Sequence, residues 1–243
     1  MRALNSIFKR SYEQLLENLK PKAEAGEPIE FKQVFGAYTM DIIAAAGFGL
    51  DKPKDLLQMM LNAHNDKDVN DDEALHQYEK DPEKWKKRDC PNYDNIQKMD
   101  YLDRVFSETV RLYAPGGRTG RQVEKEMIVN GYKIPKKSEI MITIHAIHRD
   151  PEFWEEPDKF DPERFTPENK AKRHPYCYLP FGHGPRSCIG MRLAQVEAKY
   201  ALVYILQHYR FKTCEETEIP IQLTKGGITK PANGMKLKLE SRV

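Results

Sequence analysis

The segment MRLAQVEAKYALVYILQHY, which begins at Met191, contains no glycine or proline and follows directly on FGHGPRSCIG, residues Phe181 to Gly190. This junction constrains the fold more than any other stretch. The second segment is rich in helix formers and predicts a helix that starts at Met191. The first packs three glycines, a proline and an arginine around one cysteine, Cys188. Entry into a helix needs far less than that, so the loop itself has to be explained.

A thiol just ahead of a helix N-terminus is placed where negative charge is favoured. The dipole contributes only about 0.3–1 kcal/mol, less than the ~1.36 kcal/mol that one pKa unit represents. A dipole alone therefore does not make a thiol a permanent anion, whereas a bound metal does. Gly182, Gly184 and Gly190 allow positive φ and close approach of the backbone to a large flat ligand, and Arg186 offers a planar fork for a carboxylate. A small buried cysteine in a Gly/Pro turn satisfies the same spacing, and spacing alone leaves both readings open.

The rest of the chain is predicted to be mainly α with small β-sheets. SYEQLLENLKPKAEAG gives a first helix, interrupted around Pro21 and ended near Gly26, and EFKQVFGAYTMDIIAAAGFG gives a second, more apolar one. KPKDLLQMMLNAHN reads as a short amphipathic helix. Residues 66–91 are dense in charge and read as a solvated linker between a helical block, 1–65, and a C-terminal block, 92–243. IQKMDYLDRVFSETVRLY predicts one helix with a buried stripe of Ile96, Met99, Leu102, Phe106 and Val110. Asn130-Gly131 in MIVNGYKIP predicts a hairpin, SEIMITIHAIHRD a strand leading into a helical turn, and EFWEEPDKFDPERFTPENK turns and short helices. A turn at Gly226-Gly227 and an MKLKLE strand close the chain. The net charge of +2 does not point to nucleic acid. The four cysteines, Cys90, Cys177, Cys188 and Cys214, contain no CxxC and fit free thiols. His145, His148, His174 and His183 could be drawn into a zinc site with them, but no four ligands stand at zinc-finger spacing. No run of 18 apolar residues is present, so the sequence as given predicts no membrane span.

FGHGPRSCIG matches every fixed position of F-x-x-G-x-R-x-C-x-G and so resembles the haem-binding signature of the cytochrome P-450 family. The resemblance implies a haem b cofactor with Cys188 as the thiolate ligand of its iron and Phe181 packed near the sulfur. It also implies Gly182 and Gly184 shaping the loop, Arg186 paired with a propionate, and Gly190 letting the next helix lie against the porphyrin. E-T-V-R resembles the family's E-x-x-R motif and F-D-P-E-R-F the segment that supplies a further arginine. By resemblance, Glu108, Arg111 and Arg164 form a buried structural network; on spacing alone, Glu108 and Arg111 are an ordinary i,i+3 pair. Arg121, by its place after E-x-x-R, resembles the second propionate ligand, with Arg118 as the alternative. Cys90 and Cys214 are bystanders. YDNIQKMDYLDRVFSETVRLY, HRDPEFWEEPDKFDPERF and CEETEIPIQL look most like the animal branch with xenobiotic-oxidising and thromboxane-synthase-like members.

What this implies is a single incomplete P-450-type domain over 1–243. The family's N-terminal anchor, first sheet and early haem-contacting helix would precede Met1. The long central helix that roofs the distal face, with its acid and threonine for proton relay, would fall between about Asn65 and Tyr93, where this chain has only the charged stretch. No catalytic distal residue is therefore assigned. The expected function is a haem-thiolate monooxygenase that inserts one atom of dioxygen into an apolar substrate. Electrons would come from an NADPH-dependent flavoprotein reductase at the endoplasmic reticulum membrane, with the membrane reached only through a segment outside this sequence. Basic residues such as Arg192 and Lys199 are candidate contacts for an acidic reductase surface. Two other expectations stand beside this one: a non-catalytic haem-binding or interfering form, and a structural Cys/His or metal-free domain.

Overall fold

The computed structural model describes residues 5–48 and 92–242. The short helix expected at KPKDLLQMMLNAHN, the charged linker 66–91 and Cys90 lie outside the described residues. The elements run α1 (Asn5–Glu24), β1 (Ile29–Glu30), α2 (Phe31–Phe48), α3 (Tyr93–Gln97), α4 (Asp100–Leu112), β2 (Thr119–Gln122), β3 (Met127–Val129), β4 (Tyr132–Ile134), β5 (Glu139–Ile142), α5 (Ile144–Ile147), α6 (Pro167–Lys172), α7 (Met191–His208), β6 (Tyr209–Lys212) and β7 (Lys236–Ser241). Short 3-10 turns at Pro162–Phe165, Pro175–Cys177 and Gly184–Arg186 punctuate the second half. The result is helical with small antiparallel sheets, as expected.

The described residues divide into two compact units: 5–48, 92–103, 189–222 and 231–242 in one, 104–188 and 223–230 in the other. In the first unit, Phe8, Tyr12, Leu15 and Leu19 recur at helical spacing along α1 and pack with Leu193, Val196, Tyr200, Ala201, Tyr204 and Ile205 of α7. Phe8 stacks on Tyr200 with ring centroids 4.9 Å apart. The sheet has strand order β1-β7-β6, with Ile29 opposite Leu237 and Phe211 opposite Leu239. Glu197 is buried in this unit and accepts a hydrogen bond from the Thr39 hydroxyl; burial pushes its carboxyl up from the ordinary range.

Helix α1 passes through Pro21 instead of breaking there. The proline sits in the last turn and costs the helix only the bond that its N–H would give to Glu17 O. The end is set by Gly26 at φ +65°, with the Glu27 N–H donating to Lys22 O at 3.1 Å in a Schellman-type closure. Lys199 does not present its charge to a partner. It is 3% exposed, and its Nζ donates to Asp103 Oδ1 at 2.6 Å.

The second unit holds a β2–β5 ladder that sets Arg121 opposite Ile140, and a β3–β4 hairpin that turns at Asn130 (φ +48°) and Gly131 (φ +83°). Two positive φ values in succession mark the tight primed turn that Asn-Gly favours. Its core consists of two small clusters, Ala114 with Ile144 and Leu179, and Trp154 with Phe165 and Cys177.

The single helix expected over residues 96–113 is in fact two. Asn92 and Asn95 cap α3 reciprocally, Asn95 N donating to Asn92 Oδ1 at 3.0 Å and Asn92 N to Asn95 Oδ1 at 2.7 Å, and the helix ends at Gln97. Of the expected stripe only Ile96 is fully buried; Met99, Leu102, Phe106 and Val110 are half-buried. The residues that α4 buries are Ser107, Glu108, Arg111 and Leu112. A hydrophobic pattern cannot reveal a face whose burial depends on saturated hydrogen bonding.

Candidate cofactor-binding site

The loop that carries Cys188 is shaped by its own backbone. Gly182 (φ +73°) and Gly184 (φ +76°) adopt conformations that disfavour any side chain. Gly182 N donates to Leu179 O at 3.0 Å, Ser187 N to Gly184 O at 3.0 Å, and Cys188 N to Phe181 O at 2.8 Å. The turn thus closes on itself, with the cysteine at its end and exposed. Phe181 is half-buried and its ring lies parallel to Phe106, centroids 6.4 Å apart at 5°. Arg186 and His183 are exposed, and His183 meets Tyr176 edge-on at 4.8 Å. Gly190 does not use the freedom expected of it, since its φ is −85°. It precedes α7, with Ala194 N donating to its carbonyl at 2.9 Å.

The same unit holds a buried network of charged groups. Glu108 and Arg111 are both 0% exposed. Arg111 grips Glu108 with two parallel bonds, Nε to Oε2 at 2.6 Å and Nη2 to Oε1 at 2.9 Å. Its Nη1 donates to His148 O at 2.7 Å and its Nη2 to Lys159 O at 3.3 Å, while the guanidinium lies 4.9 Å from the Trp154 ring centre. Glu108 Oε1 also accepts from Asp161 N at 2.9 Å and lies 3.5 Å from Arg164 Nε. Arg164 Nη2 donates to Glu156 O at 3.0 Å. The structure therefore brings Glu108, Arg111 and Arg164 together. An isolated buried ion pair is costly to desolvate; here each charge meets several partners.

Arg121, on β2, is half-buried and donates from Nη1 to Thr119 Oγ1 at 3.1 Å and to Gly120 O at 2.8 Å. Arg118 is exposed. The histidines do not converge on a metal: among the described residues no group of three or more His, Cys, Asp or Glu side chains could hold one. His145 Nε2 faces Ala114 O at 2.9 Å, and Gly117 leaves room for the imidazole, since a Cβ there would come within 2.8 Å of it.

His148 is the residue that sequence reasoning missed, having weighed it only as a zinc ligand. It is 0% exposed, stacked on Tyr178 at 5.5 Å, and its Nε2 accepts from Leu179 N at 2.8 Å. That leaves Nδ1 to carry the proton and donate to Arg111 O at 2.9 Å. Burial pushes its pKa down to about 4, opposed by the bond to Arg111 O. Hydrophobic spacing gave no signal for it, because its partners are backbone groups distant in sequence.

Comparisons with known proteins place the chain in a family. The Cytochrome P450 family model matches residues 81–239. The chain belongs to the cytochrome P450 family. It is 33% identical to rat (Rattus norvegicus) Cytochrome P450 3A1 over 342 residues, covering 94% of this chain and 68% of that protein. It is 30% identical to rabbit (Oryctolagus cuniculus) Cytochrome P450 3A6 with the same coverage, and 31% identical to guinea-pig (Cavia porcellus) Cytochrome P450 3A14, covering 97% of this chain and 69% of that protein. Because 342 residues of the rat protein span a match within only 243 here, the relative carries internal sequence that this chain lacks.

Cytochromes P450 are haem-thiolate monooxygenases and hold haem b, and the loop's donor chemistry fits that group. A lone exposed thiol without a cluster of further ligands is a poor site for a bare ion. It suits an iron that arrives with four porphyrin nitrogens and needs one protein ligand. No described helix is long and apolar enough to cross a membrane.

Proposed function

We propose that Cys188 is the thiolate ligand of haem iron in this P450, and that the chain is a piece of the monooxygenase machinery whose activity on its own is impaired. The observation that carries the assignment is an exposed cysteine closing a loop held by two positive-φ glycines, in the unit that holds the buried Glu108–Arg111 pair. The Cys188 N–H bond to Phe181 O fixes the backbone on which the sulfur is carried, and Phe181 would pack near the sulfur. Arg186 and Arg121 would meet the propionates, with Glu108, Arg111 and Arg164 maintaining the fold behind them. Gly190 would admit the helix to the porphyrin face. Bound there, haem supplies redox-active iron for inserting one atom of dioxygen into an apolar substrate.

The longer span of the rat relative supports the impairment. Less apolar surface to cover the far face of the macrocycle means weaker retention and freer access of water. It equally favours a second reading, a non-catalytic haem-binding form that competes for cofactor or reductase. An NADPH-dependent flavoprotein reductase remains the proposed electron donor and the endoplasmic reticulum membrane the proposed location. With Lys199 buried, Arg192 is the one of the two candidate basic residues that remains as a proposed reductase contact.

The test is titration of the full chain with hemin, followed by optical and electron paramagnetic resonance spectra. A thiolate signature with dissociation faster than in a longer relative supports the proposal. Histidine or water ligation, or no uptake, overturns it. Product formation with a reductase at the rate of such a relative would overturn the impairment alone.

A further inference from the structure

The geometry points to His148 as the positioning residue of the cysteine loop, a buried imidazole that ties the Glu108–Arg111 network to the backbone leading to Cys188. The inference rests on the reading of Cys188 as the iron ligand and adds how that ligand is held. The connection can be followed atom by atom. Arg111 Nη1 donates to His148 O at 2.7 Å, and His148 Nδ1–H donates back to Arg111 O at 2.9 Å, so residue and network are latched twice. On the far side of the ring, Nε2 receives the N–H of Leu179 at 2.8 Å. Leu179 O then accepts from Gly182 N at 3.0 Å, and Phe181 O accepts from Cys188 N at 2.8 Å. The backbone leading into the loop is thus joined at Leu179, through one imidazole, to the buried Glu108–Arg111 pair, and Cys188 closes on Phe181 within the loop so held.

The ring has no freedom to serve otherwise. Tyr178 stacks on it at 5.5 Å and Trp154 meets it edge-on at 6.5 Å. Tyr178 is itself anchored by its hydroxyl, which donates to Ser107 O at 3.1 Å. Only the neutral Nδ1–H tautomer satisfies both backbone partners, and burial favours the neutral form. Loss of the Nε2 acceptor would leave the buried Leu179 N–H without a partner, which forces the backbone there to seek water. Phe181 and Cys188 would move with it.

The test compares wild type with His148→Phe, which keeps an aromatic ring but has no acceptor, and His148→Gln, whose Oε1 can occupy the Nε2 position. Amide hydrogen exchange is measured on the haem-free full chain. At least tenfold faster exchange at Leu179, Gly182 and Cys188 is expected in His148→Phe, with recovery in His148→Gln and no change at Phe211 and Leu239 in the other unit. After hemin loading, the fraction of ferrous–carbon monoxide complex with the thiolate-type red-shifted band should follow the same order. Unchanged exchange at Leu179 and Cys188 in His148→Phe overturns the inference. If that variant does not fold, His148→Asn, too short to reach Leu179, replaces it; equal exchange in His148→Asn and His148→Gln overturns the inference equally. The exchange measurements need no haem, so their failure is distinct from failure of the Cys188 assignment, which would appear as a wild-type chain without the thiolate band.

Discussion

The cysteine loop and the Glu108 network lie in one unit and solve opposite problems. The loop keeps a reactive group open: Cys188 is exposed, and the bonds around it run from backbone to backbone. The network encloses two charges completely, with Glu108 and Arg111 at 0% exposure and joined by two bonds of 2.6 and 2.9 Å. A ligand loop must leave its donor atom available, so it cannot be stabilised by burying that atom. Its rigidity has to come from elsewhere, through glycine-dependent turns and an attachment to something that does not move. Substitutions in the two regions should therefore separate cleanly into loss of cofactor chemistry and loss of fold.

The largest effect is expected at the open end. Cys188→Ala should abolish the red-shifted thiolate band of the ferrous–carbon monoxide complex altogether. An exposed side chain with no packing role shifts stability by within about 0.5 kcal/mol, so urea unfolding should be unchanged. A retained thiolate band, or a destabilised protein, would break the division between the regions.

At the closed end, Arg111→Ala removes one member of a buried pair and leaves Glu108 charged and enclosed. The expected loss is about 3–5 kcal/mol, read from urea unfolding followed by a probe in the second unit. The thiolate band should survive in whatever fraction remains folded. A loss below roughly 1 kcal/mol, the range of exposed pairs, would show that the enclosure is weaker than its geometry.

Protonation of His148 tests the link between the two regions. Its pKa is pushed down to about 4 by burial, with Arg111, His145 and Arg149 adding positive charge nearby. The unfolded chain takes up this proton near the ordinary value of about 6.5 while the folded chain does not, so in that interval the unfolded state binds more protons. The contribution is therefore fully present above about pH 6.5 and lost as pH falls towards 4. The loss amounts to up to about 3 kcal/mol. His148→Gln should flatten that part of the pH–stability curve, whereas an unaltered slope would mean that other groups carry it.

Much of this arrangement was legible in the sequence, for reasons that differ from element to element. The hairpin at Asn130-Gly131, the helix from Met191 and the turns of the 150–172 region depend on local chemistry, which a sequence displays directly. The signature loop was legible because two of its glycines, Gly182 and Gly184, are required by its positive-φ turns. Helix α4 was misread because its buried face is polar: Glu108 and Arg111 go inside only once Asp161 N, His148 O and Lys159 O are in place. Lys199 reads as a candidate reductase contact because Asp103, the residue it pairs with, lies far away in sequence. His148 went unrecognised for the same reason. Local propensity is written in the sequence; a bond between distant backbone groups is not.

The smallest expected effect is the most discriminating test of how the loop is held. Gly184 sits at φ +76°, and a Cβ there would meet no atom within 4 Å. Gly184→Ala therefore introduces conformational strain and no clash, about 1–2 kcal/mol for an L residue in the left-handed region. Where that strain appears depends on the coupling between the regions. If the loop is locked to the network through Leu179 and His148, the folded loop must carry the strain, and global stability should fall by that amount with the thiolate band intact. If the loop is only loosely attached, it will relax locally. Stability would then stay constant while hemin dissociates faster and amide exchange at Ser187 and Cys188 rises. Calorimetric unfolding and hemin-transfer kinetics on the same variant distinguish the two outcomes, and the first is the one that the bonds through Leu179 imply.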